Sequence, residues 1–494
     1  MDFISTRSEA NRTDAPGAVL QGLAPDGGLY IPREIPSFTM EEIAGMTRMD
    51  YPALAAAVLE RFLPGFDREQ LMDFTRKAYA SFDDPAVAPM HALNDNCWTL
   101  ELFHGPTCAF KDFALQVLPY LLAASVEKRG EKKTVAILVA TSGDTGKASL
   151  AGFADVPGTK IGVFYPDGGV SDIQRAQMVT QEGDNVLVLA VEGNFDDAQT
   201  AVKKIFSDRE MGARLEQAGV TLSSANSINW GRLAPQVAYY YAAYARLAAS
   251  GVIRCGDTVD FAVPTGNFGD ILAGYYAKRS GLPVGKLICA SNSNNVLTDF
   301  LRTGVYDKNR PFLQTMSPSM DILVSSNLER LLYLLTGDSA AVAGWMRELS
   351  QSGRYDVGGA LLEKMRAEGF TAYYADEAET ARVIRRYWLD EKYLADPHTA
   401  VGLSAAAAYR TDSGSAVPCV VLSTASPFKF APAMLSSLGE DVPADGFLAL
   451  EELSRLSGQP VPPPLAALRD KAERFPGVVP PAAMPEAVER WLTE

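Results

Sequence analysis

The stretch Thr134-Val-Ala-Ile-Leu-Val-Ala140, followed directly by Thr141-Ser-Gly-Asp-Thr-Gly146, decides the fold class of this 494-residue chain. Its first part is an uninterrupted apolar run of strand length, and its second part has the glycines and hydroxyls of a turn. A strand that is apolar on both faces must be covered on both sides, as the strands of parallel sheets are. The stretch therefore predicts a strand–loop–helix unit of an α/β protein.

The same rhythm recurs along the chain. Further apolar strands are predicted at 160–165, 185–190, 259–264, 286–290 and 418–425, with helices near 195–207 and 429–438. Strands that alternate with helices in this way favour parallel sheets flanked by helices. Before them, apolar residues at helical spacing predict helices at about 40–46, 51–62 and 67–80. The fold class is therefore α/β, with a small N-terminal unit ahead of the sheets.

We expect the chain to divide into three parts. They are an N-terminal domain at 1–95, a catalytic region at 96–456 with a smaller subdomain at about 131–220, and a Pro-rich C-terminal extension at 457–494. Three parts fit the length, since a domain has roughly 150 residues. The proline content predicts that the extension packs as an extended segment with one or two short helices.

The charge balance, the apolar runs and the cysteines of the chain indicate which partners and which cellular compartment to expect. The chain has 45 basic and 60 acidic residues and a net charge of -15, which argues against nucleic acid as the main partner. An anionic ligand must then be bound by local donors. No signal peptide opens the chain and no run of about 18 apolar residues occurs, so we expect a cytoplasmic protein without a membrane span. The odd number of cysteines, without a C-x-x-C pair, predicts reduced thiols at Cys97, Cys108, Cys255, Cys289 and Cys419.

Three loops follow predicted strands and begin helices. They are Ala140-Thr-Ser-Gly-Asp-Thr-Gly-Lys147, Pro264-Thr-Gly-Asn-Phe-Gly-Asp270 and Leu422-Ser-Thr-Ala-Ser-Pro-Phe-Lys429. Ligands of α/β proteins bind beyond the carboxyl ends of strands, where backbone N–H groups at helix starts can hold a phosphate. Each loop alone also fits an ordinary helix cap or turn. The first is not a nucleotide loop, because its glycines are three apart and Ala148 follows Lys147.

Lys111 lies between Phe110 and Asp112, with Phe113 beyond. A lone lysine is usually a solvated surface residue. Near a helix start and between aromatic side chains, however, its ammonium form is disfavoured and its amine becomes available, as in lysines that form Schiff bases. Pro119 follows in an apolar run, so a helix either begins or bends there.

Other catalytic patterns are missing. The three histidines, His91, His104 and His398, are dispersed and form no H-E-x-x-H motif, so we expect no metal site. There is no G-x-S-x-G motif of a serine hydrolase and no G-x-G-x-x-G after a strand to favour a dinucleotide.

Taken in order, the segments resemble the threonine synthase family, whose members are pyridoxal-phosphate enzymes of fold type II in the tryptophan synthase β-like superfamily. The resemblance covers about residues 1–440, and the lysine motif is its most specific part. The matching segments are Gly22-Leu-Ala-Pro-Asp-Gly-Gly-Leu-Tyr-Ile-Pro32, His104-Gly-Pro-Thr-Cys-Ala-Phe-Lys-Asp112, Thr141-Ser-Gly-Asp-Thr-Gly146, Ser227-Ile-Asn-Trp-Gly-Arg232, Pro264-Thr-Gly-Asn-Phe-Gly-Asp270 and Ser423-Thr-Ala-Ser-Pro-Phe-Lys-Phe430.

The resemblance implies a role for each matching position. Lys111 would form the Schiff base with pyridoxal 5'-phosphate and shuttle protons, and Thr424 would bond to the pyridine nitrogen. The cofactor phosphate would be surrounded by Gly266, Asn267, Phe268, Gly269 and Asp270. Contacts to the substrate would come from Ser142, Asp144, Thr145, Asn226, Arg232 and Lys429. The implied reaction converts O-phospho-L-homoserine and water to L-threonine and phosphate by β,γ-replacement.

Two positions depart from the family pattern, and two other functions stay open. Ser426 stands where the family usually has histidine, and Pro119 interrupts the helix after Lys111. One alternative is a pyridoxal-phosphate dehydratase or phospho-lyase acting on serine, threonine or their phosphates. Another is a non-catalytic binding protein of the same fold. The Asp-Gly-Gly-Leu-Tyr segment and the Phe-Lys-Asp context favour threonine synthase, while the oligomeric state is not predicted.

Overall fold

The computed structural model describes residues 2–94, 96–130, 132–141 and 143–494. The chain begins with a small antiparallel sheet, in which β1 pairs with both β2 and β3, and with four helices. Thr39, Asp50 and Asp67 cap the last three of these helices at their N-termini, which is why those helices begin where they do. In chain order the elements are β1 (Phe3–Ser5), β2 (Arg12–Thr13), α1 (Ala15–Gln21), β3 (Tyr30–Pro32), α2 (Met40–Met46), α3 (Tyr51–Phe62) and α4 (Arg68–Tyr79). The three helices predicted in this part are confirmed.

Strands and helices alternate through the rest of the chain. They are β4 (Met90–Leu93), β5 (Cys97–Glu101), α5 (Asp112–Leu115), α6 (Leu118–Lys128), β6 (Thr134–Ala140), α7 (Asp144–Phe153), β7 (Thr159–Pro166), α8 (Asp172–Val179), β8 (Val186–Val191), α9 (Phe195–Ser207), α10 (Arg209–Gln217), β9 (Val220–Ser223), α11 (Trp230–Ala249), β10 (Val259–Pro264), α12 (Gly269–Arg279), β11 (Val284–Ser291), α13 (Val296–Thr303), β12 (Val305–Asp307), α14 (Leu328–Thr336), α15 (Ser339–Ser352), β13 (Arg354–Asp356), α16 (Gly358–Ala367), β14 (Phe370–Tyr374), α17 (Glu377–Glu391), α18 (Pro397–Ser413), β15 (Cys419–Ser423), α19 (Ala431–Leu438), α20 (Gly446–Ser457), α21 (Pro463–Ala466), β16 (Val478–Val479) and α22 (Met484–Thr493).

Two sheets organise this part. The larger has six strands in the order β14-β11-β10-β15-β5-β4, all parallel except the edge strand β4, and the smaller has five parallel strands in the order β16-β8-β7-β6-β9. The strands predicted from apolar runs are all present, with β6, β7 and β8 in the smaller sheet and β10, β11 and β15 in the larger. Helices pack on both sheets, so the predicted α/β fold is confirmed.

The C-terminal segment returns to the smaller sheet. Strand β16 pairs with β8, and α22 contacts α9 and α10. The contact buries Met484, Val488 and Leu492 of α22 in one apolar cluster with residues of that sheet. The segment thus carries a strand as well as the predicted short helices.

Pro119 separates two helices after Lys111. Helix α5 ends at Leu115, and α6 begins at Leu118 with Pro119 in its first turn. Proline is tolerated there because the N–H groups of a first turn have no partner within the helix. Of the two outcomes predicted for Pro119, a new helix start is the one observed.

Two further observations concern the chain as a whole. The five cysteines are free thiols, four of them buried and Cys255 exposed. Within the described ranges, no helix combines the length and the apolar character that crossing a bilayer requires.

Candidate active site

The loop that carries Lys111 is bound to the loop that follows β15. The N–H of Phe110 donates to the carbonyl of Thr424 at 2.8 Å, and the N–H of Ser426 donates to that of Cys108 at 3.0 Å. Lys111 and Thr424 are thereby neighbours, although 313 positions (424 − 111) separate them along the chain. In the described part of the chain no residue bonds to the Thr424 hydroxyl, which leaves it available to a ligand beside Lys111.

The amine of Lys111 lies in a pocket of mixed character. Its Nζ donates to the Ser319 hydroxyl at 3.1 Å, lies 3.8 Å from Oδ2 of Asp144 and is 5.5 Å from the centre of the Phe110 ring. The side chain is 14% exposed. Burial lowers the pKa of Lys111 to about 8, and the nearby charges of Lys429 and Arg232 act in the same direction against that of Asp144. An amine with this pKa is in part neutral near physiological pH, as a nucleophile or base must be.

Asp144 and Lys429 form a buried ion pair next to Lys111. Nζ of Lys429 is 2.6 Å from Oδ1 of Asp144 and donates to the Thr107 carbonyl at 3.0 Å. Burial alone would raise the pKa of Asp144, but Lys429 and Lys111 hold it well below its ordinary value. Asp144 is therefore an anion that pairs closely with Lys429 and lies farther from Lys111.

Asp112 supports the lysine loop from inside. Its carboxylate accepts from the backbone N–H and the hydroxyl of Thr107 at 2.8 and 2.7 Å. Burial raises the pKa of Asp112 to about 6, so these bonds hold an anion at neutral pH. Thr107 in turn presents its carbonyl to Lys429, which links Asp112 to the ion pair.

The loop 264–270 forms a backbone cup at the start of α12. Phe268 has a left-handed conformation with φ 62°, and a Cβ at Gly266 would come within 2.5 Å of the Ser319 carbonyl oxygen. The carbonyl of Asn267 accepts from the N–H and the side-chain amide of Asn327, both at 3.0 Å. With the loop held in this way, the N–H groups at the start of α12 are suited to an anion.

The side chain of Asp270 is bound to tyrosines of α11 and does not take part in the backbone cup. Its Oδ1 accepts from the hydroxyls of Tyr239 and Tyr240 at 2.5 and 3.0 Å, and burial raises the pKa of Asp270 to about 6. A phosphate at the cup would therefore meet the backbone N–H of Asp270, with the carboxyl group bound to the two tyrosines of α11.

The residues predicted to contact a substrate are brought together only in part. Arg232 is buried, its Nη1 donates to the carbonyl of Ala225, and within the described ranges its Nε has no partner. Thr145 lies in the first turn of α7, next to Asp144. Asn226 is exposed, and the described residues make no hydrogen bond to its side chain. Ser142 lies outside the described residues.

Ser426, which departs from the family pattern, has a local structural role. It begins the short 3-10 helix Pro427–Phe430, and its hydroxyl accepts from the N–H of Phe428 at 3.4 Å. This helix carries Lys429, so Ser426 helps to place the cation that pairs with Asp144.

Sequence reasoning missed several residues of the site. Ser319 touches Lys111, Gln174 donates to Asp144 at 3.3 Å, and the buried His398 accepts from the N–H of Ser319 at 3.1 Å. Ser319 lies in a segment without a periodic apolar pattern. The sequence Asp396-Pro397-His398 is typical of a capped helix start, and Asp396 does cap α18. No local signal distinguishes these residues.

The arrangement fits a phosphate-bearing aldehyde cofactor. Ser319 lies between the Lys111 amine, whose pKa is about 8, and the backbone cup at 264–270, and Thr424 is bound to the Lys111 loop through Phe110. In the described part of the chain, Nε of the buried Arg232 has no partner and is a further donor for an anion, because a buried donor without a partner is costly.

Comparisons with known proteins agree with this chemistry. The family models described as "Threonine synthase N terminus", "Pyridoxal-phosphate dependent enzyme" and "Threonine synthase, C-terminal" match residues 2–79, 86–424 and 399–491. Threonine synthase from Pseudomonas aeruginosa is 43% identical over 439 residues, which are 88% of this chain and 90% of the relative.

Solved structures give the same result. The crystal structure of PLP-bound threonine synthase from Brucella melitensis has a TM-score of 0.88 and 40% identity, covering 100% of this chain and 99% of that one. Threonine synthase from yeast has a TM-score of 0.88 and 33% identity, covering 99% and 98%. The predicted family, fold type and cofactor are thereby confirmed. The chain belongs to the threonine synthase family of pyridoxal-phosphate-dependent enzymes.

Proposed function

We propose that this protein converts O-phospho-L-homoserine and water to L-threonine and phosphate, with Lys111 as the lysine that bonds to pyridoxal phosphate. The observation that carries the proposal is the mostly buried Lys111 amine, with a pKa of about 8, which only Ser319 separates from the backbone cup at 264–270 among the described residues. Family membership supports the reaction, because the match covers 90% of the Pseudomonas aeruginosa threonine synthase and 99% of the Brucella melitensis one.

Lys111, the backbone cup and Thr424 would each bind or act on a different part of the cofactor. Pyridoxal phosphate, when bound, supplies the electron sink that makes proton removal from the amino-acid substrate possible. The N–H groups of Gly266 through Asp270 would hold its phosphate, and the Thr424 hydroxyl would accompany its ring nitrogen. Once displaced by the substrate amine, Lys111 would take up and return protons at its Nζ, since its pKa is close to the working pH.

Arg232 is the better candidate of the two cations for the substrate phosphate. Its Nε is buried and has no partner in the described part of the chain, whereas two of the three donors of Lys429 already serve Asp144 and Thr107. A guanidinium also matches the geometry of phosphate oxygens. We propose Asp144 and Thr145 as neighbours of the substrate, with Ser142 and Asn226 as further contacts.

The finer predictions on organisation remain part of this proposal. We propose the three-part division at 1–95, 96–456 and 457–494 with the subdomain at about 131–220, and a cytoplasmic location. The proposed partner is the small-molecule substrate O-phospho-L-homoserine, and we propose neither nucleic acid nor a membrane as a partner.

Turnover of O-phospho-L-homoserine by the purified holoprotein tests the reaction. We expect threonine and phosphate in equal amounts. Formation of 2-oxobutyrate as the main product, or of pyruvate when serine or phosphoserine is supplied, would instead identify a dehydratase or phospho-lyase. Failure to turn over O-phospho-L-homoserine, serine, threonine or their phosphates would identify a binding protein.

Substitution of Lys111 tests the cofactor assignment separately. Lys111→Ala is expected to abolish turnover and to remove the visible absorbance band of the lysine imine, because no other amine replaces it. Lys77→Ala, on the exposed face of α4, is the matched control and should keep both. An unchanged band in Lys111→Ala would overturn the role of Lys111.

A further inference from the structure

The short turn Pro318–Met320 places Ser319 between Lys111 and the backbone cup. The Ser319 hydroxyl accepts from Nζ of Lys111 at 3.1 Å and lies 3.5 Å from Oδ2 of Asp144. On its other side, the Ser319 carbonyl comes so close to Gly266 that no side chain could stand there. Among the described residues, Ser319 is thus the nearest polar contact of the Lys111 amine, nearer than the carboxylate of Asp144 at 3.8 Å.

A buried histidine holds this turn by its backbone. The N–H of Ser319 donates to Nε2 of His398 at 3.1 Å, and Nδ1 of His398 is 2.8 Å from Oδ1 of Asp396. Because the amide N–H can only donate, Nε2 must accept, and the ring proton therefore lies on Nδ1 and points at Asp396. His398 is 2% exposed and Asp396 is fully buried, so the ring has one tautomer and one orientation.

The far end of the turn is fixed by a second set of bonds. The side-chain amides of Asn292 and Asn294 both donate to Oδ1 of Asp321, at 2.8 and 2.9 Å, and the N–H of Thr315 donates to Oδ2 at 2.9 Å. The turn is therefore held from α18 on one side and from the end of β11 on the other.

We propose that Ser319 positions the amine of Lys111, and that the His398–Asp396 pair keeps Ser319 in place through its backbone N–H. The inference rests on the proposed function, because it assigns a role to Ser319 only if Lys111 acts at its Nζ. Lysine has a flexible four-carbon stem, so a displaced amine needs an acceptor to stay in line with the cofactor. A neutral hydroxyl orients the amine, whereas a carboxylate in direct contact would raise the lysine pKa and keep it protonated.

Ser319→Ala tests the contact directly, because the variant keeps the backbone N–H that binds His398. We expect kcat to fall at least about tenfold while KM changes by less than about twofold, since the lost contact matters after substrate binding. Ser319→Thr, which keeps the hydroxyl, should restore most of kcat. Ser125→Ala, at a buried serine whose hydroxyl bonds within α6, is the matched control and should leave kcat unchanged.

A second readout uses the protein without cofactor. The rate of labelling of Lys111 by fluorodinitrobenzene, followed by peptide mass spectrometry across pH, reports the pKa of the amine. Ser319→Ala is expected to move the midpoint to lower pH, because the hydroxyl accepts from the ammonium form and stabilises it against burial and the charges of Lys429 and Arg232. The unfolding transition of Ser319→Ala is measured alongside. If it matches that of the wild type, a shifted labelling midpoint reports the loss of the Ser319 contact and not general misfolding.

Two substitutions at His398 test the support of the turn. His398→Gln can keep an acceptor for the Ser319 N–H and should retain more of kcat than His398→Leu, which cannot. If Ser319→Ala leaves kcat and the labelling midpoint as in the wild type, the positioning role of Ser319 is wrong. If His398→Leu is as active as the wild type, the support by His398 is wrong. Absence of threonine formation by the wild type would overturn the proposed function, while the labelling midpoint would still decide whether Ser319 contacts Lys111.

Discussion

His104, the first residue of the lysine motif, is held between two carboxylates. Its Nδ1 lies 2.7 Å from Asp83 and its Nε2 lies 3.0 Å from Glu101. Burial opposes its charge, but these two hydrogen bonds outweigh that effect and raise the pKa of His104 to about 9. The imidazolium thus fastens the start of the motif to β5 and to the segment before β4.

This raised pKa makes the stability of the protein depend on pH. The ordinary histidine pKa is 6.5, so the stabilisation is complete below pH 6.5 and is lost as pH rises towards 9. His104→Gln should lower the free energy of unfolding by about 1 kcal/mol at pH 6 and by much less at pH 9.5. Urea unfolding at both pH values measures this, with His91→Gln as control. A loss of equal size at both values would contradict the ion-pair explanation.

Asp144 is the carboxylate on which the site depends most for stability. Asp144→Asn leaves the fully buried Lys429 ammonium without its counter-charge, so we expect the free energy of unfolding to fall by about 3 kcal/mol. Asp73→Asn removes the carboxylate of an exposed pair with Lys77 and should cost much less, because water screens this pair. Urea unfolding compares the two, and equal losses would show that the buried pair is not stabilising.

At the scale of elements, α7 packs against the end of the helix that follows Lys111. Gly152 in α7 lies against the carbonyl of Leu115, the last residue of α5, and a Cβ at this position would overlap that oxygen. Close approach of the two helices therefore requires glycine. The contact also supports Lys111, which immediately precedes α5.

Gly152→Ala should accordingly destabilise the protein by about 2 kcal/mol and lower kcat, because α5 must shift. Gly212→Ala in α10 is the matched control. No neighbour would meet its Cβ, so it should stabilise the protein by up to about 1 kcal/mol through the better helix propensity of alanine. Thermal unfolding of the two variants gives opposite signs if the contact is as close as described, and the same sign if it is not.

The elements themselves were predictable where the apolar pattern is strong. The runs that became β6, β7, β8, β10, β11 and β15 have continuous apolar residues because both faces of a parallel strand are covered. Strands β5, β9 and β14 were not predicted. They are only four or five residues long, and the polar residues Thr99, Thr221 and Thr371 interrupt their apolar runs.

At the scale of the molecule, one buried arginine connects the N-terminal part to the backbone cup. Nε of Arg330 donates to the carbonyl of Tyr30 at 3.0 Å, Nη2 donates to that of Ile228 at 2.6 Å, and Nη1 donates to the side chain of Asn327. Asn327 in turn donates to Asn267 in the cup. The small N-terminal unit therefore contributes to the geometry of the proposed phosphate site.

Arg330→Lys keeps the charge and loses the three-way contact, since one ammonium cannot reach acceptors on three sides. We expect the free energy of unfolding to fall by about 3 kcal/mol. We also expect the dissociation constant of the apoprotein for pyridoxal phosphate to rise about tenfold. Cofactor titration measures the second effect. The matched control is Arg386→Lys, at an exposed residue 3.9 Å from Asp390, and should change neither. Unchanged cofactor affinity in Arg330→Lys would show that the N-terminal unit does not contribute to the cofactor site through Arg330.

Short motifs and apolar patterns in the sequence were enough to predict the α/β class, the family and the cofactor, and they singled out Lys111 as the candidate lysine. These conclusions follow from short motifs and from periodic patterns, which act through neighbouring residues. The contact of Ser319 with Lys111, the bond from Ser319 to His398 and the bond from Arg330 to Tyr30, 300 positions away, became visible only in the folded chain. Such contacts join segments that are distant in sequence, and neither segment's local sequence predicts its partner, because the contacts form only when the whole chain packs.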